Sequence, residues 1–278
     1  MAGATTRLTN ATLATGELVD VTISAGDRDT AGAGRIVAVD PAAGAQRSPG
    51  DRHDEHVEHD DLTVELAGHL LTTSLVEPHA HLDKAFLAER IPNPTGDLIG
   101  AIHGMHANRD LITVADTIER AERAVRLMVN NGVTLIRTHA DVTDANGLTS
   151  VEALAEVRRR TAGLCDLQIV ALPGFPLTGP AGAPTRALLR EALDTGADLV
   201  GGCPHLEDDV DGATEVLLAI AAEFGRGVDL HTDETLNPSK LGLADLARRC
   251  SSPAANSTFS RPRAISPAAS GPAAFPTR

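Results

Sequence analysis

From about residue 70 to residue 250 the chain alternates short apolar runs with amphipathic stretches, and this rhythm leaves few folds open to it. Val133-Thr134-Leu135-Ile136-Arg137-Thr138-His139, Asp166-Leu167-Gln168-Ile169-Val170-Ala171-Leu172, Asp198-Leu199-Val200-Gly201-Gly202-Cys203 and Gly227-Val228-Asp229-Leu230-His231 read as strands. A fifth apolar run covers residues 70–76. Helical spacing fills the gaps. Thr113 can cap a helix with Asp116 three residues on, and Ile118, Ala121, Val125 and Met128 supply its apolar stripe. Gly132 stands where its C-terminal cap belongs. Further helices are predicted over 150–160, 185–195 and 213–224, ending at Gly163, Gly196 and Gly225, and another over 241–250. Strands that alternate with helices pair in parallel, because each parallel neighbour needs a crossover. The expected class is therefore α/β, with functional residues at the C-terminal ends of the strands.

The flanks differ. Residues 1–68 look β-rich, with strands predicted at Val19-Asp20-Val21-Thr22-Ile23 and Arg35-Ile36-Val37-Ala38-Val39-Asp40. Residues 41–61 read as a polar loop in which His53, His56 and His59 sit among carboxylates; with no apolar frame to fix ligands, a solvated acidic loop is expected there. Residues 69–250 carry the strand–helix rhythm. Residues 251–278 are rich in Pro, Ala and Ser, lack Asp and Glu, and are expected to be disordered. So abrupt a change suggests a shifted reading frame, in which case another frame of the encoding DNA would continue the rhythm.

A formal charge of −14 argues against a nucleic-acid partner. No run approaches the roughly 18 apolar residues of a membrane helix, and no signal-peptide pattern opens the chain. Cys165, Cys203 and Cys250 are too few and too scattered for a disulfide framework or a thiolate zinc site. A cytoplasmic protein without membrane contact is expected, with a homo-oligomer left open.

The chemistry concentrates in Val76-Glu77-Pro78-His79-Ala80-His81-Leu82-Asp83. Side chains two apart on a strand share a face, so His79 and His81 can chelate one divalent ion. His231-Thr232-Asp233-Glu234 forms a second cluster, in which His231 can join the ion and Glu234 can shuttle protons over the pocket. His139 and His205 also fall at or just after predicted strand ends.

These stretches, with Arg137-Thr138-His139-Ala140-Asp141-Val142 and Gly201-Gly202-Cys203-Pro204-His205-Leu206-Glu207, give residues 5–250 a resemblance to the amidohydrolase superfamily, and within it to the cytosine-deaminase-like branch. The resemblance implies a (β/α)8 barrel with a small β-sandwich drawn from the N-terminal segment. It implies one catalytic Fe2+ or Zn2+ and hydrolytic deamination of a heterocyclic small molecule. His79, His81 and His231 would be metal ligands and Glu234 the catalytic acid/base, while His139 and His205 match positions outside the ligand set. Lys84 and Lys240 are the only lysines, and neither is near the fourth strand, which favours a single ion.

The chain also departs from that pattern. Gly174 stands where cytosine deaminases place a Gln that reads the pyrimidine amide. Lys84 is instead similar to a feature of members that act on substituted triazines such as N-alkylammelides, and it reads equally well as a salt-bridged rim residue. A sixth-strand His and an eighth-strand Asp find no counterpart before residue 250, so the resemblance implies an incomplete barrel that folds poorly alone and has lost most of its activity. The alternative is a non-catalytic remnant that binds a metal or a partner subunit. A nucleoside-type zinc deaminase would need a P-C-x-x-C element, and Cys203-Pro204 is reversed with no second Cys.

Overall fold

The computed structural model describes residues 5–24, 34–42 and 62–251; the loop with His53, His56 and His59, and the tail beyond residue 251, lie outside them. Two compact units divide the chain, the first running to Leu75 and the second beginning at Val76.

The first unit is a four-stranded sheet. Its strands are β1 (Thr5–Thr12), β2 (Leu18–Ser24), β3 (Arg35–Pro41) and β4 (Leu62–Glu65), in the order β3-β2-β1-β4. β1 and β2 form an antiparallel pair with Thr5 opposite Ser24, while β4 joins β1 in parallel. The two strands read from the sequence are present as β2 and β3; β1 and β4 were not anticipated. The reason lies in β1, whose Thr-Thr-Arg-Leu-Thr-Asn-Ala-Thr has little apolar alternation and gains its place by pairing on both edges.

The apolar run over 70–76 does not form one strand. Thr12 N–H donates to the His69 carbonyl and Leu71 N–H to that of Thr12, so the start of the run serves the first unit. The strand proper, β5 (Leu75–Ala80), begins at the end of the run and carries His79.

The second unit adds β6 (Val133–Val142), β7 (Asp166–Pro173) and β8 (Leu199–Val200) to β5, in chain order. β6 and β7 run parallel from Leu135 opposite Asp166 to Val142 opposite Pro173, and β8 continues in parallel with Val170 opposite Leu199. The expected last strand, over 227–231, pairs without forming a full ladder. Val200 N–H donates to Gly227, Asp229 N–H to Val200 and His231 N–H to Gly202.

The helices are α1 (Leu98–Ala107), α2 (Val114–Val129), α3 (Thr149–Thr161), α4 (Ala183–Thr195), α5 (Val210–Glu223) and α6 (Gly242–Ser251). The Thr113 hydroxyl accepts from Asp116 N–H at 3.2 Å, capping α2 as its sequence predicts. α1 was not anticipated, and none of its side chains is buried. The core lies between sheet and helices. Ala121 and Val125 of α2, Val151, Leu154 and Val157 of α3, Leu189 of α4 and Leu217 of α5 pack with Ile136, Ile169 and Val200 of the strands. This is the parallel α/β arrangement of a (β/α) barrel, with four strands plus the 227–231 segment among the described residues.

Candidate metal centre

One ring nitrogen from each of His79, His81, His139 and His231 lies within 4.8 Å of the other three. Parallel strands explain the convergence. Each histidine sits at or near the C-terminal end of its strand, so ends aligned by the ladder bring together residues far apart in sequence. The ring centres of His79 and His139 are 4.5 Å apart, and those of His139 and His231 are 4.6 Å apart.

The turn after His81 is fastened from several directions. Leu82 N–H donates to Thr138 Oγ1 at 2.9 Å, which ties the turn to β6. The Asp83 carboxylate, buried, accepts from Asp141 N–H at 2.9 Å. Arg120, buried on α2, donates through one guanidinium nitrogen to the carbonyls of Asp83 (2.9 Å) and Ala85 (2.8 Å). Its Nε reaches Asp116 Oδ2 at 2.8 Å, which leaves the arginine's buried charge paired. Sequence reading missed Arg120. A buried cation inside an apolar helix stripe, four residues after Asp116, is the signal that could have found it.

The strand carrying His231 depends on two glycines. A Cβ on Gly202 would collide with the Leu217 side chain, and one on Gly201 would press against the Ala171 carbonyl at 2.8 Å. Gly202 can thus offer its carbonyl to His231 N–H at 2.9 Å.

The donor set fits a divalent cation. Nδ1 of His81, Nδ1 of His231 and both ring nitrogens of His139 are buried and make no hydrogen bond among the described residues. An ion would account for one nitrogen of His139; on His81 and His231 it would sit at Nε2, so it leaves their Nδ1 atoms without a partner among the described residues. Two nitrogens bound tetrahedrally to one zinc at about 2.1 Å stand roughly 3.4 Å apart, and the Nε2 atoms of His81 and His231 are separated by 3.3 Å. Burial, with the nearby Lys84 charge, pushes the His81 imidazole down to about 3. Burial, with the neighbouring His139 and His79, brings His231 down to about 4. Both rings are therefore neutral near pH 7, the state in which imidazole binds metal.

Around the cluster stand charged groups. Asp229 Oδ1 lies 3.6 Å from His139 Nε2, while Asp229 Oδ2 accepts from an Arg137 guanidinium nitrogen at 2.7 Å. His139 and Arg137 hold the Asp229 carboxyl down at about 2. Asp229 precedes His231 by two residues, the same spacing that singles out His79 and His81, and that spacing could have found it.

Lys84 is salt-bridged, to Asp83 at 3.1 Å and to Asp141 at 2.7 Å. Burial alone would lower its pKa, but the two carboxylates outweigh it and the ammonium is held above its usual value. Gly174 follows β7, donates its N–H to the Val142 carbonyl at 3.0 Å, and has no room for a Cβ without pressing Thr143 at 3.3 Å. His205 is buried outside the cluster and donates from Nδ1 to the His231 carbonyl at 3.2 Å.

Glu234 is exposed, on the loop that follows His231. That loop turns at Asp233, whose φ of 58° is left-handed and whose carboxylate accepts from Gly242 and Leu243 N–H at the start of α6. Burial first, and then the charge of Glu234, push the Cys203 thiol up to about 12, so Cys203 is no nucleophile. Among the described residues no helix is long and apolar enough to cross a membrane.

No family model matches the chain. It is 33% identical over 175 residues to a pterin deaminase of Rhizobium rhizogenes (strain K84), an alignment that covers 63% of this chain and 40% of that protein. Among solved structures it resembles 5-methylcytosine deaminase from Klebsiella pneumoniae, with a TM-score of 0.70 and 30% identity, covering 88% of this chain and 55% of that one. It also resembles N-isopropylammelide isopropylaminohydrolase from Burkholderia multivorans, with a TM-score of 0.67 and 29% identity over 88% of this chain and 57% of that one. The chain thus spans 40 to 57% of the length of these relatives. With its parallel α/β sheet, whose histidines gather where the strands end, the chain is similar to the cytosine-deaminase-like branch of the amidohydrolase superfamily.

Proposed function

We propose that this chain carries the metal site of a cytoplasmic hydrolase that deaminates a small nitrogen heterocycle, a cytosine-like pyrimidine or a substituted triazine. The observation that carries the proposal is the meeting of His79, His81 and His231 from strand ends about 150 residues apart in sequence, one nitrogen of each within 4.8 Å of the others. In this reading those three hold one Fe2+ or Zn2+. Such an ion supplies a water-derived nucleophile near neutral pH.

The remaining work falls to the chain's own groups. The Glu234 carboxylate, exposed on the loop after His231, would take a proton from the attacking water and give it to a ring nitrogen of the heterocycle, then carry the water's second proton to the departing amine. The products are the ring carbonyl and ammonia, or the free alkylamine where the exocyclic nitrogen carries an alkyl group. Lys84, fixed between Asp83 and Asp141, presents a permanent positive charge beside the site and can face an electronegative ring substituent. Gly174, tight against Thr143, supplies no side-chain amide, which favours triazines over cytosine itself.

The test is release of ammonia from cytosine or pterin, or of the alkylamine from an N-alkylammelide, by the purified chain, with and without added Fe2+ or Zn2+. Metal-dependent release, abolished in His79→Ala and lowered about 100-fold or more in Glu234→Gln, supports the reading. Metal binding without release from any of these would point to the non-catalytic alternative, which the exposed position of Glu234 favours.

A further inference from the structure

Arg120 is a cation buried on the inward face of α2, 7% exposed among buried Thr117, Ala121, Ala124 and Val125. Replacing a buried ion pair with apolar side chains is often neutral for stability, so stability alone does not explain a charge in that place. Its guanidinium is fixed on its own helix, where Nη2 donates to Thr117 Oγ1 at 3.2 Å and Nε to Asp116 Oδ2 at 2.8 Å. Arg90 donates to the other oxygen of Asp116 at 2.6 Å, so the carboxylate that orients Arg120 is itself held. The remaining nitrogen, Nη1, reaches across to the carbonyls of Asp83 and Ala85 at 2.9 and 2.8 Å.

Those carbonyls lie on the turn that follows His81. The Asp83 carbonyl and the Lys84 N–H belong to one rigid peptide plane. That plane accepts from Arg120 on one side and donates to the His81 carbonyl, at 3.0 Å, on the other. Two hydrogen bonds thus join the buried arginine to the backbone of His81. His81 lies one residue beyond β5, so its placement depends on this turn. Leu82 N–H and the Asp83 carboxylate tie the turn to β6, and Arg120 ties it to α2. The segment continues into strain at Phe86, whose φ of 60° is one that a bulky side chain keeps only where its surroundings hold it. Arg123, three residues along α2 from Arg120, places its guanidinium carbon 3.8 Å from the centre of the Phe86 ring.

We propose that Arg120, oriented by Asp116, is a positioning residue for the metal centre: it fixes the turn after His81, and with it the His81 imidazole, and so sets how tightly the ion is held. This inference rests on the metal centre of the preceding reading. Donors must be placed to within about half an ångström. A planar guanidinium spans two carbonyls and a carboxylate at once, which a lysine ammonium does not reproduce.

The experiment measures Zn2+ affinity of the 278-residue chain by competition with a chelator, at a temperature where the metal-free form of each variant is folded by circular dichroism. Arg120→Ala and Arg120→Lys are each expected to weaken it about 10- to 100-fold, the range for groups that orient metal ligands. Guanidinium chloride, kept far below denaturing concentration, is expected to restore affinity in Arg120→Ala, and ammonium chloride is not. A role in folding alone lowers the melting midpoint but leaves the affinity of the folded protein unchanged. Arg186 is the control, because its Nη1 holds the carbonyls of Leu177 and Gly179 at 2.6 and 3.0 Å in a turn without a cluster histidine. Arg186→Ala should leave Zn2+ affinity as it was. Unchanged affinity in the Arg120 variants, an equal loss in Arg186→Ala, or an equal response to the two cations overturns the inference and leaves the metal centre standing. An unaltered chain that binds no Zn2+ overturns both. Should Arg120→Ala fail to fold, Arg120→Lys and Asp116→Asn decide, and unchanged affinity in both overturns the inference.

Discussion

The two units bury their side chains on very different scales. In the first, Ala11, Val19 and Val21 are the enclosed core, and Ile36, Val37 and Val39 of β3 remain 64, 58 and 52% exposed. In the second, a continuous buried cluster runs from Ala80 to Ala221 and draws on strands and helices alike. A small sheet with one thin layer of core is marginal by itself, whereas close packing on both sides of a strand fixes its ends. Metal binding by residues from several strands demands that second kind of setting, because donors must be held to within about half an ångström. The histidines stand where the packing can hold them.

The sharpest way to break this contrast is to cut into the larger core. Leu154→Ala removes a side chain that is 0% exposed and is expected to cost about 2–5 kcal/mol in a denaturant melt. A loss under 1 kcal/mol would mean that the second unit is no better packed than the first. Gly202→Ala should cost less, about 1–3 kcal/mol, since the added methyl meets Leu217. It should also weaken Zn2+ binding, because the Gly202 carbonyl holds the His231 backbone.

Acid sharpens the comparison further. His81 and His231 titrate at about 3 and about 4 when folded, against an ordinary value of 6.5. As the pH falls below 6.5 the unfolded chain takes up protons that the folded metal-free chain refuses, so stability declines from there down toward pH 4. In the first unit Glu65 is held below its usual 4.5, chiefly by the Ala67 N–H, and its contribution is lost only as the pH drops through that lower range. Hydrogen exchange followed by mass spectrometry should therefore show protection fading first in the second unit, between pH 6.5 and 4. Simultaneous fading in both would contradict the assignment. The smallest effect is expected from Val39→Ala, which removes a side chain already 52% exposed and should shift the melt by no more than about 0.5 kcal/mol.

Much of the site was legible locally. His79 and His81 declare themselves by a spacing of two, and the Thr113 cap and the glycine at 132 bound their helix as written. The start of the first barrel strand was not legible. Leu70 and Leu71 look like strand residues, but Thr12 claims their backbone, a partner nearly 60 residues away that no local window contains. β1 escaped notice for the same reason, since its pairing rather than its own pattern makes it a strand.

The sequence by itself determined the class of fold, through alternation of strand and helix periods, and singled out three histidines that the structure brings together, with a glutamate proposed to serve beside them. Periodicity is a property of neighbours, so it can be read without coordinates. Only the tertiary structure decided that His139 joins the cluster, that Lys84 is pinned between Asp83 and Asp141, and that Arg120 locks the turn behind His81. Each of these joins residues tens of positions apart, and strand register together with core packing, neither of them local, sets which side chains meet.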